Sequence, residues 1–343
     1  MIRVFLNHTP TMRANYYGER ALTRLQAMAD VQLNQQTTPL SPEQLIDAAQ
    51  GCHVIIGARV PAIAASVFEK LPDLAAFCRV AVDVSNIDIA AASRNGVLVS
   101  RASPGFGPSV AEWIVGAMID MSRGISDAVL DYRQGRNPRV GMGRQLAGAS
   151  LGIVGLGTIG RYLATLGHAL GMDVIVYDPY QPDIGPFRRA DTLDTLLEHA
   201  DYVVCLAASV PETTGMFSTQ AFAAMKSDAF FINASRGELV DERALLHALN
   251  TGEIAGCALD VGMAADQMPG LELAAHPRVI ASPHLGGLTP QAVEHQALDT
   301  VEQVATMLQG KVPAGALNAE HAFRFRQRFL VQDTIAAHVP TRL

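Results

Sequence analysis

Several features of common protein classes are scarce in this chain. Only 17% of its residues are charged, and it has one tryptophan and four cysteines. The cysteines are Cys52, Cys78, Cys205 and Cys257; they form no Cys-x-x-Cys pair and lie in or beside apolar, strand-like segments. This pattern favours buried, reduced thiols and argues against a disulfide framework or a zinc site.

The sequence also lacks the patterns typical of metal-binding, membrane and nucleic-acid-binding proteins. The ten histidines show neither HxxxH nor HExxH spacing, so we expect no metal site. No apolar run is long enough to cross a membrane, and residues 1–7 lack the long apolar region of a signal peptide. The net charge of −7 gives no overall attraction to nucleic acid or to an anionic membrane. We therefore expect a cytoplasmic protein that binds neither nucleic acid nor membrane.

The most informative stretch is LGIVGLGTIGR at residues 151–161, an apolar strand followed by a glycine turn and the start of a helix. In a dinucleotide site, Gly155 permits the tight turn, Gly157 lets the backbone approach a pyrophosphate, and Gly160 lets helix and strand pack closely. The helix N-terminus would offer unpaired N–H groups to the phosphates. The motif alone is weak evidence, because glycine-rich turns also simply end strands.

The segment after the motif indicates which cofactor binds. A second apolar run, residues 173–177, ends at Asp178, where a carboxylate would accept hydrogen bonds from the adenosine ribose hydroxyls. The same carboxylate would repel a 2′-phosphate, and residues 179–183 contain no arginine to hold one. The pattern predicts NAD(H) rather than NADP(H); the alternative is an acidic turn residue without a binding role.

Short apolar runs alternate with helical patterns along the chain, as is typical of parallel sheets covered by helices on both faces. The strands expected before the motif are 4–6, 31–33, 53–57, 79–82 and 97–99. Those expected from the motif onward are 151–155, 173–177, 202–206, 230–233, 255–260 and 279–281, which fit a doubly wound sheet. Helices are expected over 109–134, after a breaker cluster, and over 290–308, which would return the chain to the first domain.

Three reactive side chains follow strands in the second half of the chain. Arg236, Asp260 and His284 each stand at or just past the end of an expected strand, where ligands of open α/β sheets bind. A guanidinium for an anionic substrate, a carboxylate to anchor a cofactor and an imidazole to donate a proton suit carbonyl reduction by hydride. Taken singly, they can also be a solvated arginine, a capping carboxylate and a loop histidine.

At these motifs the chain resembles the D-isomer-specific 2-hydroxyacid dehydrogenases. The resemblance runs from roughly residue 50 to 318 and is densest at 155–160, 193–197, 211–215, 225–226, 232–242, 256–261 and 283–287. It implies two doubly wound parallel-sheet α/β domains: a Rossmann NAD-binding domain, 102–289, and a smaller flavodoxin-like substrate domain made of 1–101 and 290–343. It also implies a homodimer and a small 2-oxo or 2-hydroxy acid as substrate.

The resemblance also implies roles for individual residues. Arg236 would bind the carboxylate and carbonyl oxygen of the 2-oxo acid, His284 would be the general acid in reduction, and Asp260 would hold the nicotinamide carboxamide. The backbone at Val82 and Asp83 would hold the substrate carboxylate. The other cofactor contacts would come from Gly155, Gly157, Thr158, Ile159, Gly160, Asp178, Ala234, Ser235, Gly286 and Gly287.

Two positions depart from the family's pattern. The glutamate that pairs with the catalytic histidine is expected at Ala265; with one inserted residue, Asp266 is the candidate for its role, and a solvated loop acid is the alternative. In the substrate loop, Asp83 places a negative charge near an anionic substrate. These departures keep a second hypothesis open, an NAD(H)-binding regulator of the same fold with little turnover.

The C-terminal segment alternates aromatic and basic residues over 321–329. Such alternation can bind single-stranded nucleic acid. On an acidic chain, we instead expect this strip to pack against the first domain or a sister subunit.

Overall fold

The computed structural model describes residues 1–330. The chain folds as two compact units, one made of Met1–Gly105 and the chain from Pro290 onward, the other of Phe106–Thr289. Each unit contains a parallel sheet with its own helices, as the sequence predicts. The boundaries of the functional domains expected at 102 and 290 stay a prediction. Within residues 1–330, no helix combines the length and apolarity needed to cross a bilayer.

The first unit has a five-stranded parallel sheet in the order β2-β1-β3-β4-β5, the flavodoxin-like order that the sequence predicts. Its N-terminal part consists of β1 (Arg3–Leu6), α1 (Pro10–Tyr16), α2 (Glu19–Gln26), β2 (Asp30–Leu33), α3 (Pro42–Ala48), β3 (Val54–Gly57), α4 (Ala65–Lys70), β4 (Ala76–Arg79), α5 (Ile89–Arg94) and β5 (Leu98–Arg101). Every residue of β3 and β4 is buried, because both faces of the sheet are covered.

One strand of this sheet was predicted in the wrong place. We expected it at 79–82, but β4 ends at Arg79, which pairs with Gly57 and Arg101 at the end of the ladder. Residues 80–86 instead form the loop that carries Val82 and Asp83. The error arises because a short apolar run such as 74–78 does not distinguish a strand from a helix by its pattern.

The second unit has a seven-stranded parallel sheet in the order β12-β11-β10-β9-β6-β7-β8. Counted from β6, this is the Rossmann order 3-2-1-4-5-6 with one more strand at the edge. Its elements are α6 (Gly107–Arg123), α7 (Ile125–Arg133), β6 (Ser150–Val154), α8 (Thr158–Ala169), β7 (Asp173–Tyr177), β8 (Arg188–Arg189), α9 (Leu193–His199), β9 (Tyr202–Cys205), α10 (Thr219–Ala223), β10 (Phe230–Asn233), α11 (Glu242–Thr251), β11 (Gly256–Leu259), α12 (Leu271–Ala274) and β12 (Val279–Ala281).

Two features of this unit differ from the sequence prediction. The single helix expected over 109–134 is broken into α6 and α7 at Gly124, which has φ 62. Glycine takes this left-handed conformation without steric cost, so it ends one helix and starts the next. The short edge strand β8 was not predicted, because two consecutive arginines carry no apolar pattern. The four cysteines are buried and free, as predicted.

The chain returns to the first unit through α13 (Pro290–Leu308), whose bounds match the prediction. Its buried face, with Val301, Val304 and Met307, joins a core cluster that also contains residues of β1, β3 and β4. After α13, residues 315–318 run antiparallel beside β5, with a bridge between Ser100 and Ala316. They cover an edge strand that would otherwise present unpaired backbone groups.

The strip of aromatic and basic residues packs against the first unit. Phe325, in α14 (Phe323–Phe325), and Phe329 are buried in the same core cluster as α13. The guanidinium of Arg324 donates to the carbonyl oxygens of Phe68 and Leu71. The alternating pattern therefore reflects an amphipathic edge, while residues 331–343 of the tail lie outside the described part.

We predict that Asn318→Ala destabilises the first unit. Asn318 is 2% exposed; its side chain accepts from the N–H of Val99 (2.8 Å) and donates to Val97 O (3.0 Å). Leaving these two buried backbone groups unpaired should cost roughly 2–4 kcal/mol. Urea unfolding followed by circular dichroism measures the loss, with the exposed neighbour Glu320→Ala as a control. Equal midpoints for the two variants would contradict the prediction.

Candidate active site

Gly155, in the turn after β6, and Gly160, in the first turn of α8, are required by packing within the protein. Gly155 has φ 99, and a Cβ added to it would lie 2.6 Å from the nitrogen of Ala207. A Cβ added to Gly160 would lie 2.3 Å from the carbonyl oxygen of Gly155. These positions let strand, turn and helix approach one another, as the motif predicts.

Gly157 differs from the other two. Its φ of −73 is open to any residue, and an added Cβ would meet nothing within 4 Å. It is also the N-cap of α8 and makes no side-chain capping bond, so the first N–H groups of α8 have no intrahelical partner. Open space in front of unpaired N–H groups suits an anion such as a pyrophosphate, which fits the predicted contacts at Thr158 and Ile159.

Asp178 stands at the end of β7, as the sequence predicts. Its Oδ2 accepts from the N–H of Leu156 (2.7 Å) and its Oδ1 from the N–H of Tyr180 (2.9 Å). These bonds fix the carboxylate beside the glycine turn, and each oxygen keeps a lone pair that can accept from a ribose hydroxyl.

Two arginines near Asp178 were not found by sequence reasoning. Arg161 donates to the side chain of Gln181 (2.9 Å), and Arg189 donates to the carbonyl oxygen of Gln181 (2.8 Å). Arg161 lies in the first turn of α8 and Arg189 in β8, so an inspection of residues 179–183 does not reveal them. Their shared contact is visible only in three dimensions.

Asn233, a residue that the sequence analysis did not single out, organises the turn after β10. It is 1% exposed; its side chain accepts from the N–H of Ser235 (3.1 Å) and donates to the carbonyl oxygen of Arg236 (2.9 Å). Ser235 in turn donates to Ala207 O (2.5 Å), which ties the turn to the end of β9. Arg236 is half-buried and follows Ala234 and Ser235 directly. An asparagine that ends a strand is the signal that could have found this residue.

Asp260 holds the loop that carries His284. Its carboxylate is 2% exposed and accepts from Ser282 Oγ (2.5 Å) and from the N–H groups of Leu285 (2.7 Å) and Gly286 (2.8 Å). A Cβ on Gly286 would lie 2.8 Å from Asp260 Oδ2, so glycine is required there. The structure thus gives Asp260 a positioning role, and its contact with a nicotinamide stays a prediction.

His284 is oriented by the main chain of Asp266. Its Nδ1 lies 3.1 Å from the carbonyl oxygen of Asp266. A carbonyl oxygen only accepts, so Nδ1 carries the hydrogen and Nε2 is left to exchange a proton with a ligand. The sequence analysis expected the Asp266 carboxylate to make this contact. Within residues 1–330, no ion pair joins that exposed carboxylate to the ring.

The backbone conformation explains why the carbonyl oxygen of Asp266, and not its carboxylate, contacts the ring of His284. Asp266 (φ 55), Gln267 (φ 58) and His284 (φ 57) are the non-glycine residues with positive φ among those described. The N–H of Gly262 donates to Gln267 O (2.9 Å) and closes the loop that presents the Asp266 carbonyl. Such residues cost about 1–3 kcal/mol each and concentrate at functional sites. All three residues lie at or beside the hydrogen bond between His284 Nδ1 and Asp266 O.

In the first unit, the charge of Asp83 has a local partner. Its Oδ1 accepts from the N–H of Ser85 (3.0 Å), and its carboxylate lies 4.0 Å from the guanidinium of Arg59. Burial lowers the pKa of neighbouring Arg79 to about 10, which leaves it charged at neutral pH. The negative charge that the sequence placed in the substrate loop is therefore offset, and binding by the backbone of Val82 and Asp83 stays a prediction.

No three His, Cys, Asp or Glu side chains among residues 1–330 are grouped as metal ligands.

Comparison with known families and sequences identifies relatives. Residues 115–286 match the model of the D-isomer specific 2-hydroxyacid dehydrogenase NAD binding domain. D-3-phosphoglycerate dehydrogenase from Homo sapiens is 34% identical over 285 residues, which cover 82% of this chain and 53% of the relative. The enzyme of that name from Methanocaldococcus jannaschii is 31% identical, covering 88% and 57%. The chain thus spans about half the length of these curated relatives.

Solved structures give a similar result. D-lactate dehydrogenase with NAD+ from Lactobacillus jensenii has a TM-score of 0.79 at 25% identity, covering 92% of this chain and 99% of that one. The NAD complex of a D-isomer specific 2-hydroxyacid dehydrogenase from Lactobacillus delbrueckii has a TM-score of 0.77 at 25% identity, covering 93% and 100%. The fold of both units matches these two proteins.

The glycine turn yields a prediction with a built-in comparison. Gly157→Ala should fold normally and bind NADH at least about tenfold more weakly, because its Cβ enters open space that only a ligand needs. Gly160→Ala should instead lower the melting temperature, because its Cβ clashes with a backbone oxygen. Thermal unfolding and NADH fluorescence titration measure the two effects. If a folded Gly157→Ala protein bound NADH with unchanged affinity, the cofactor would not contact this position.

Proposed function

Because the chain belongs to the D-isomer specific 2-hydroxyacid dehydrogenase family, we propose that it is an NAD-dependent oxidoreductase that interconverts a small 2-oxo acid and a D-2-hydroxy acid. The observation that carries this proposal is the state of His284, whose Nδ1 bonds to a carbonyl oxygen while its Nε2 has no hydrogen-bond partner among residues 1–330. Arg236 supports the proposal, because it follows β10 at the same edge of the sheet at which His284 follows β12.

NAD(H), when held by the glycine turn and Asp178, would supply or accept the hydride at C2 of the substrate. Arg236 binds the carboxylate and the carbonyl oxygen of the 2-oxo acid, since a guanidinium presents paired donors to such oxygens. Asn233 holds the backbone of Arg236 and so sets the direction from which the guanidinium approaches.

His284 moves the proton. From Nε2 it donates to the substrate oxygen in reduction and accepts from the hydroxyl in oxidation. The bond from Nδ1 to Asp266 O keeps the ring in one tautomer and one orientation, and Asp260 fixes the loop behind it. The carboxylate of Asp266 is not needed for this arrangement.

The proposal predicts turnover that depends on His284. Loss of NADH absorbance should be seen with one or more of glyoxylate, hydroxypyruvate, pyruvate, phenylpyruvate and bulkier 2-oxo acids. His284→Asn should lower kcat by about 10²–10⁴, the usual weight of general acid catalysis, with NADH affinity unchanged. His247→Asn, on the surface of α11, is the matched control.

The same assay separates the alternatives. Turnover that His284→Asn leaves intact would refute the proton-transfer role. Asp266→Asn should keep most of the activity, because the ring is held by a main-chain oxygen; a loss as large as that of His284→Asn would assign the role to the carboxylate. Tight NADH binding without turnover on any 2-oxo acid would favour the NAD(H)-binding regulator.

We further propose that the protein is a homodimer joined through the second unit. Exposed apolar side chains concentrate on α6, α7 and the segment that follows them: Ile119, Ile125, Val129, Leu130, Tyr132, Val140 and Met142. Ile119, Ile125 and Val129 line a groove of about 390 Å³, while Val140 and Met142 are fully exposed. A twofold interface places the same patch of both subunits in contact, so one exposed apolar face on each subunit can supply the whole interface.

The dimer proposal predicts that Val129→Glu yields a monomer, because a charge placed in the groove would have to lose its water on association. Light scattering after size-exclusion chromatography measures the mass. Leu271→Glu, at a residue that is 88% exposed outside this face, should leave the mass unchanged. A monomeric unmodified protein, or a dimer that survives Val129→Glu, would contradict the proposal.

A further inference from the structure

The loop between β11 and α12, residues 260–270, presents the main-chain oxygen that orients His284. That oxygen belongs to Asp266 and lies 3.1 Å from His284 Nδ1. The N–H of Gly262 donates to Gln267 O (2.9 Å), so the chain folds back on itself around Asp266. The position of the Asp266 carbonyl therefore depends on what fixes the base of this loop.

A carboxylate from α11 lies at that base. Glu242 is half-buried in the first turn of α11, and its Oε1 accepts from the N–H of Met263 (3.1 Å). A Cβ added to Gly270 would lie 3.9 Å from Glu242 Oε2, which places the second oxygen beside the other end of the loop. One side chain thus reaches both ends of the β11–α12 loop.

The base of the loop also packs against the residue that follows Arg236. A Cβ added to Gly237 would lie 2.4 Å from the carbonyl oxygen of Gly262, and one added to Gly262 would lie 2.6 Å from Cα of Pro269. Glycine is the residue that permits such a close approach of two backbones. Gly237, Gly262 and Glu242 line one small cavity. The carboxylate therefore stands where the loop meets the segment that carries Arg236.

We propose that Glu242 is a positioning residue for proton transfer, which holds the β11–α12 loop so that the carbonyl oxygen of Asp266 stays on Nδ1 of His284. The proposal rests on the proposed function, because proton transfer by His284 is a step of that reaction. Without the carboxylate, the N–H of Met263 loses its partner and the loop gains freedom at its base. The ring is then no longer held in the tautomer that leaves Nε2 ready to exchange a proton.

The tautomer of His284 can be measured without turnover, by NMR of protein with isotope-labelled histidine nitrogens. His284→Asn identifies the signals of this ring. At mildly alkaline pH the unmodified chain should show the Nδ1–H tautomer alone, and Glu242→Ala should show a mixture of both. Glu242→Gln keeps an acceptor oxygen and should restore the single tautomer. Glu242→Asp keeps the charge but is too short to reach Met263; it should give the mixture and serves if Glu242→Ala does not fold.

The kinetic test uses a 2-oxo acid that the unmodified chain reduces. Glu242→Ala should lower kcat by about tenfold to a hundredfold, the effect of misplacing a reacting group by roughly 1 Å, and leave the dissociation constant of NADH unchanged. Glu242→Gln should recover most of that loss. In a His284→Asn background, Glu242→Ala should cause no further loss, because the ring that it positions is gone.

A matched control separates positioning from a general effect of charge at a helix end. A glutamate in the first turn of a helix also interacts favourably with the helix dipole. Glu272 stands in the first turn of α12 and is exposed, so Glu272→Ala removes the same charge from the same kind of position. It should leave kcat and the tautomer of His284 unchanged.

Several outcomes would overturn the proposal. One is an Nδ1–H tautomer that survives in Glu242→Ala, or that is already missing from the unmodified chain. Another is a loss of kcat that Glu272→Ala reproduces, that Glu242→Gln does not relieve, or that recurs in full in the His284→Asn background. An unmodified chain that reduces no 2-oxo acid would contradict the proposed function, while the tautomer measurement would still decide whether Glu242 positions the ring.

Discussion

A carboxylate that is 2% exposed must be compensated by donors, and the compensation of Asp260 shapes the candidate site. Its donors come from Ser282, Leu285 and Gly286, which lie on both sides of His284. The loop after β12 is therefore folded around the end of β11. That folding sets the direction of the imidazole, because the backbone N–H of His284 also donates to Asp260 O.

Features that depend on local sequence could be predicted. The alternation of strands and helices, the glycine turn and the residues at strand ends follow from patterns a few residues long, and parallel topology brings the strand ends to one edge. The helix over 290–308 could be bounded because Pro290 starts it and Gly310, with φ 74, follows its end. The resemblance then supplied roles that no spacing gives.

Features that depend on contacts across the fold could not be predicted. Arg161 and Arg189 meet one loop from a helix and a strand, and no pattern in residues 179–183 announces them. The carboxylate of Asp266 was expected on His284 because an acid was found at nearly the right spacing. Which atom of Asp266 faces the ring depends on two consecutive left-handed residues, a conformation that only a few per cent of non-glycine residues adopt and that a pair Asp266-Gln267 does not announce.

The path of the chain through the first unit has a consequence for the order of folding. Its core cluster combines β1, β3 and β4 with α13 and with Phe325 and Phe329, which are separated from them by the whole second unit. During synthesis the second unit emerges with all of its strands before the first unit has its last helix. The seven-stranded sheet of the second unit can therefore form before α13 and the C-terminal segment are available to pack on the N-terminal strands. A chaperone that binds the nascent chain would bind an incomplete first unit, not an incomplete second unit.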